Sequence, residues 1–348
     1  MNRLLYIEIL RFFSSLSVLI FHYPIFFNTQ SNPPLKNFLE PLYHFGGSGV
    51  LIFWAISGYI FYYIYNNKLI DGNITFKTFV VNRFSRLYPL HFLTLILVVI
   101  LQAIHFDIYD NYHHDYLNDF YHFFLNIFFI SFWGFEEYYS FNGPIWSVSV
   151  EILVYFLFFY SIFYFKKPLI ICLLVIFTSA LIKIFSDATH QLLNCLIFFY
   201  TGSLAYLFNK FFDEKNISLF KSKIYFILLI IFPYIFWKTK IYEIKYFIFI
   251  FFWLYSFFLL IGASISFNLT KKIKKILNNL GNLTYGIYLF HFPLTILIKL
   301  IYNFFNLKIP VHSIYFLMFY TTLVILISFV FFHKFEKPMQ KFLRTKLS

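Results

Sequence analysis

The chain has 348 residues, 60% of them hydrophobic and 12% charged, with a mean hydropathy of +0.72. Soluble domains carry about a quarter charged residues, so a soluble globular fold is excluded. The formal net charge is +13, but the lysines and arginines sit in short segments between apolar runs, so the charge speaks of membrane topology and not of nucleic acid.

Apolar segments near 20 residues recur from end to end, and each must satisfy its own backbone in lipid. The runs are continuous and not alternating, which argues against a β-barrel. The predicted fold class is an all-α polytopic membrane protein, one integral membrane domain over residues 1–348. Ten spans are expected, at about 5–26, 46–65, 79–103, 144–165, 168–185, 190–210, 222–238, 246–267, 283–301 and 313–333. The apolar stretch 119–133 is too short to cross and is read as a re-entrant or interfacial segment. The first span carries Glu8 and Arg11 and lacks a small-residue cleavage site, so it is read as a retained span and not a signal peptide.

Within that first span, Arg11 and His22 stand eleven residues apart in RFFSSLSVLIFH. On a helix the separation is about 16 Å along the axis, and eleven steps of about 100° return to within about 20° of the start, so the two side chains face the same way. An ionisable residue at bilayer depth is costly and marks a functional site by default. The alternative is a snorkelling arginine and a hydrogen-bonded histidine at a helix end. The second span opens on His44-Phe45-Gly46-Gly47-Ser48-Gly49 and contains Ser57-Gly58, small residues that admit close helix packing or a ligand. At the mouth of the third span Arg83 and Arg86 share a face at i and i+3. They hold positive charge on one side of the membrane, or they offer planar forks to phosphate.

The stretch Gly143-Pro144-Ile145-Trp146-Ser147-Val148-Ser149-Val150-Glu151 enters the fourth span. Pro144 suits a first helical turn. Glu151 lies about two turns further in, where a carboxylate must be paired or protonated; its natural partner is a histidine or arginine on a neighbouring span. In Gly281–His291, the residues Tyr285, Tyr288 and His291 recur every three positions, a polar stripe on an apolar helix. Glu336-Lys337-Pro338 reads as a stop signal after the last span. Cys172 and Cys195 lie in apolar runs without CxxC or zinc spacing and read as buried structural thiols; no metal-ligand set is read.

The loop charges orient the chain. With the N-terminus inside, Lys68, Lys77, Lys166, Lys167, Lys271, Lys272, Lys274, Lys275 and the basic tail fall on the cytoplasmic side. The loop 105–119 holds Asp107, Asp110, Asp115 and Asp119 with no lysine or arginine, as an outer loop should. Counting 119–133 as an eleventh span would reverse every later loop, so ten spans with both termini cytoplasmic is the expected topology.

Together these stretches resemble membrane-bound acyltransferase family 3. Its pattern stands here as Arg11…His22, GVLIFWAISGYI, Arg83…Arg86, WSVSVE, LTYGIYLFH and EKP, in order over nearly the whole chain. The family often carries a second acidic residue after the glutamate, where this chain has Ile152. The resemblance implies acyl transfer, usually acetyl, from cytoplasmic acyl-CoA to a hydroxyl of a surface or exported glycan or lipid-linked sugar. It also implies a bacterial plasma (inner) membrane location among membrane lipids, with acyl-CoA as co-substrate and no permanently bound cofactor. On this reading Arg11, Arg83 and Arg86 hold the donor phosphates. His22 and Glu151 carry the chemistry, while Trp146, Ser149, Tyr285, Tyr288 and His291 serve the substrate or support the site. The rival reading is a transporter or flippase of a lipid-linked glycan. Such proteins often contain an internal repeat, and none is visible between the halves of this sequence.

Overall fold

The computed structural model describes residues 5–26, 32–113, 117–136, 138–185, 191–215, 223–244, 247–262 and 270–347. Asp115, and the positions 190, 222, 246 and 263–267 of the expected spans, lie outside them. The described residues form helices and no strand: α1 Leu5–His22, α2 Lys36–Phe45, α3 Gly49–Ile70, α4 Phe76–Tyr109, α5 Phe120–Ile127, α6 Trp146–Phe165, α7 Pro168–Phe185, α8 Gln191–Glu214, α9 Lys223–Lys238, α10 Phe247–Ile261, α11 Lys271–Phe304, α12 Ile314–Phe331 and α13 Lys337–Leu347. The protein is an all-α polytopic membrane protein. Among the described residues, 8 helices or helix runs are long and apolar enough to cross a bilayer. The helices α9 and α10, of 16 and 15 residues, occupy the places of the seventh and eighth expected spans.

Several helices outrun their expected spans. Both α4 and α11 have 34 residues, about 50 Å at 1.5 Å per residue. Hydropathy marks only the part of a helix that suits lipid; lysine, arginine and asparagine are tolerated in a helix and carry it on into water. So Arg83 and Arg86 lie inside α4, whose N-cap is Thr75, its hydroxyl accepting from the Thr78 amide at 3.2 Å. Nor does the chain stop at Glu336: a π-helical turn, Phe332–Glu336, joins α12 to α13 without a break.

The short apolar stretch forms α5, with 8 residues, far too few to cross. Asp119 caps it, its carboxylate accepting from the His122 amide at 2.8 Å and from the His122 ring Nδ1 at 2.9 Å. Burial works to raise the Asp119 pKa, but the His122 hydrogen bonds outweigh it and hold the carboxyl below its ordinary value. A carboxyl with a depressed folded-state pKa stabilises above the unfolded-state pKa and loses that contribution as pH falls through the folded value. Asp119→Ala is expected to cost α5 about 1 kcal/mol, the usual value of an N-cap, read as faster amide hydrogen exchange over 120–127 at neutral pH. At a pH below the carboxylate range the exchange rates of variant and parent should converge.

The chain divides into two compact units. The first takes the described residues of Met1–Ser14, Ser48–Ile74 and Val154–Gly281. Its closest helix pair is α3 against α8, flanked by α7 and α10. A side chain on Gly58 would put Cβ 1.7 Å from the Phe199 carbonyl oxygen, and one on Gly202 would put it 1.7 Å from that of Ala55. Both helices thus touch backbone to backbone, the small-residue packing that replaces hydrophobic drive in lipid. Aromatic rings fill the space around this contact: Phe61 stacks on Tyr155 at 4.1 Å, and Phe158, Phe198 and Phe199 are fully buried. The polar groups here are matched, with Asn209 donating to Tyr59 Oη and to the Leu260 carbonyl, and Trp253 to Thr201. Cys172 and Cys195 are buried, and the Cys172 thiol donates to Tyr62 Oη at 3.1 Å.

The second unit takes the described residues of Ser15–Gly47, Thr75–Leu153 and Asn282–Ser348. Leu95, Val98 and Leu101 of α4 pack with Phe141 and with Phe292, Ile296 and Leu300 of α11. On α12, Tyr320 donates to the His291 carbonyl at 2.9 Å, and α13 packs along α4. Gly46 earns its place by close approach, since a Cβ there would lie 2.2 Å from the Ser17 carbonyl oxygen.

Candidate functional site

The candidate residues of the second unit converge on α11. His22 ends α1, and His291 lies near the middle of α11; their imidazole rings are 4.9 Å apart. Each ring has Nδ1 against a backbone carbonyl one turn earlier, Val18 at 2.9 Å and Ile287 at 3.3 Å. A carbonyl only accepts, so Nδ1 carries the proton in both rings and Nε2 is the basic nitrogen. His291 is 1% exposed, and its Nε2 is buried without a hydrogen-bond partner among the described residues.

The rest of the α11 stripe is tied down. Tyr288 donates to the Pro144 carbonyl at 2.8 Å and lies 2.7 Å from the Ser147 hydroxyl. Its ring is 5.9 Å from that of His291. Tyr285 donates to the Leu87 carbonyl of α4 at 2.9 Å. The charges of Glu336, Arg86 and Glu151 all act on Tyr285, and Glu151 acts on Tyr288 as well. Glu151, Arg86 and Glu336 thus all lie within charge range of the stripe, and Glu336 is 1% exposed at the end of the π-helical turn. A residue read as a stop signal is thus a buried acid beside the stripe. The sequence carried no sign of this: π-turns favour functional sites, but their presence is not visible in hydropathy.

Ser149 and Trp146 hold the chain that follows α5. The Ser149 hydroxyl donates to the Phe129 carbonyl at 2.7 Å and accepts from the Phe132 amide at 3.1 Å, while the Trp133 indole donates to the Ser149 carbonyl at 2.8 Å. The Trp146 and Phe132 rings are 5.8 Å apart. Phe129 and Phe141 take φ of 59° and 47°, a left-handed conformation that bulky residues seldom adopt. Phe129 lies over His91, a fully buried histidine of α4 that donates from Nε2 to the Asn126 carbonyl at 2.8 Å. Asn142 donates to the Leu289 carbonyl at 3.2 Å, and its Oδ1 is buried without a partner among the described residues. Sequence reading passed over His91, Asn126 and Asn142 because an isolated polar residue in an apolar run is ambiguous until its neighbours are known.

Arg11 belongs to the first unit. It forms an ion pair with Glu8 at 3.1 Å, the two side chains 16% and 12% exposed. The Glu8 carboxylate fits because Gly281 has no side chain; a Cβ there would stand 2.0 Å from Glu8 Oε2. The i, i+3 spacing of Glu8 and Arg11 was the available sign of this pair.

A family model described as an acyltransferase domain matches residues 4–333. No curated protein and no solved structure matches the chain.

Proposed function

The chain belongs to membrane-bound acyltransferase family 3, and we propose that it moves an acyl group, acetyl by preference, from cytoplasmic acyl-CoA to a hydroxyl of a cell-surface or exported glycan. The observation that carries this reading is the pair of imidazoles, His22 and His291, each oriented through Nδ1 so that Nε2 is its base. Acyl transfer to an alcohol needs such a base, because a hydroxyl is a weak nucleophile until its proton is being removed. His22 Nε2 takes the proton as the hydroxyl oxygen attacks the thioester carbonyl. The C–S bond then breaks, and the imidazolium returns the proton to the departing thiolate of CoA, so the histidine ends as it began. Glu151, whose charge reaches Tyr288 next to His291, favours the transient positive charge.

Arg83 and Arg86 bind the donor's phosphates, for which the guanidinium fork is suited. This places the N-terminal part of α4 on the cytoplasmic side, as the loop charges require, in a bacterial inner membrane with both termini cytoplasmic. The test is purified protein in detergent with acetyl-CoA and a glycan acceptor. Acceptor-dependent release of free CoA thiol is expected, and its absence over a panel of hydroxyl acceptors would overturn the reading. Arg86→Ala is expected to raise the KM for acetyl-CoA about tenfold, the loss of one charge-assisted contact, with a smaller change in kcat; an unchanged KM removes Arg86 from the donor site.

A further inference from the structure

Pro293 stands inside α11, two residues after His291. Proline has no amide proton, so the carbonyl four residues earlier, that of Leu289, loses its helical donor. His291 is the central residue of the turn thus opened, 289–293. At membrane depth there is no water to replace the bond, and a proline is tolerated where a neighbouring group supplies the missing donor. Here the neighbour is Asn142, in the turn that leads into α6. Its Nδ2 donates to the Leu289 carbonyl at 3.2 Å.

Asn142 is fully buried, and with Nδ2 on the carbonyl its Oδ1 is without a hydrogen-bond partner among the described residues. Leucine has nearly the same size and would fill the place without burying an unpaired oxygen. What leucine lacks is the donor. The same turn is held at its centre as well: the His291 carbonyl accepts from the Thr295 hydroxyl at 2.8 Å and from Tyr320 of α12 at 2.9 Å. At the residue before Leu289, Tyr288 donates to the Pro144 carbonyl at 2.8 Å. The chain at 142–144 is therefore bonded to α11 at two successive residues, once through its own side chain and once through that of α11.

We propose that Asn142 is a positioning residue for acyl transfer: by closing the turn that Pro293 opens, it fixes the imidazole of His291 at 4.9 Å from that of His22. The inference rests on the functional reading above, and Asn142 acts through His291 without touching a substrate. A turn without its backbone bond is free to rotate, and a displacement of about 1 Å in a catalytic group costs about 10²-fold in rate.

The test uses full-length variants in detergent, purified as monodisperse protein and assayed by single-turnover transfer of labelled acetyl to a hydroxyl acceptor. Asn142→Leu keeps the volume and removes the donor. Its rate is expected to fall about tenfold to a hundredfold, with a KM for acetyl-CoA within about twofold of the parent's. Pro293→Ala returns an amide donor to the Leu289 carbonyl, so adding Asn142→Leu to Pro293→Ala should cost less than about threefold. His291→Ala removes the group that Asn142 serves, and in that background too Asn142→Leu should cost less than about threefold. A parent-like rate in Asn142→Leu overturns the assignment. So does an undiminished loss in either background, which would mark a role in folding alone; both results leave the acyltransferase reading intact. A parent that transfers acetyl to no hydroxyl acceptor overturns both.

Discussion

His22→Ala is expected to lower the rate of acyl transfer by about 10² to 10⁴, the range that a positioned general base supplies, while the protein still inserts and still binds coenzyme A. The expectation rests on geometry: the ring is held by Val18 with Nε2 as its base, and it faces a second imidazole 4.9 Å away. A ring with Nδ1 protonated and Nε2 basic suits a cycle in which a base takes a proton and returns it, and the second imidazole lies close enough to act with the first. His291→Ala should then impair transfer as well, and the double variant should lose little more than the worse single one, since residues acting as a unit are not additive. Single-turnover transfer of a labelled acetyl group measures the chemical step apart from binding. Full activity in His22→Ala would end the scheme; additive losses would instead separate the two histidines into independent roles.

Gly202→Val and Gly58→Val are each expected to leave little folded protein. A Cβ on either glycine would stand 1.7 Å from a carbonyl oxygen of the facing helix, and 2.6 Å from that carbonyl's carbon. The obstructing atoms are backbone, so no side-chain rotation relieves the clash; α3 and α8 must separate along their length. Overpacking in a tight core costs about 1–3 kcal/mol and more where backbone must move, against a total stability of about 5–15 kcal/mol. Valine is the stringent choice, since its branched side chain also resists rotation in a helix. The measurements are the yield of monodisperse protein in detergent and its thermal midpoint. Gly72→Asn is the control: Gly72 has φ of 71° with nothing near its Cβ position, and asparagine tolerates that conformation. A Gly202→Val protein that melts with the parent would contradict the close α3–α8 contact.

Hydropathy located most of the helices because the membrane signal is additive along consecutive residues. It missed the extensions of α4 and α11, the separate helix α2 and the docking of α13, all of which lie outside the most apolar windows. In the site, Arg11 and His22 were legible as ionisable groups in an apolar run, and Tyr285, Tyr288 and His291 as a period-three stripe. Their partners were not. Arg11 pairs with Glu8 on its own helix, and the imidazole facing His22 is 269 residues away in the chain. Ser149 was read as serving the substrate or supporting the site, and its hydroxyl bonds the Phe129 carbonyl and the Phe132 amide, neither of which a sequence pattern reveals.

The sequence by itself determined that this chain is a bundle of membrane helices and which residues are too costly in lipid to be incidental. Both follow from solvent: backbone groups must be satisfied within the helix, and each buried charge needs a reason. Only the tertiary structure decided that His22 meets His291, that Glu336 is buried, and that Arg344 reaches Ser85. Those pairings depend on the rotation and depth at which one helix packs on another. Ridges, small residues and a π-turn set these jointly across distant segments, and no periodicity within a single segment records them.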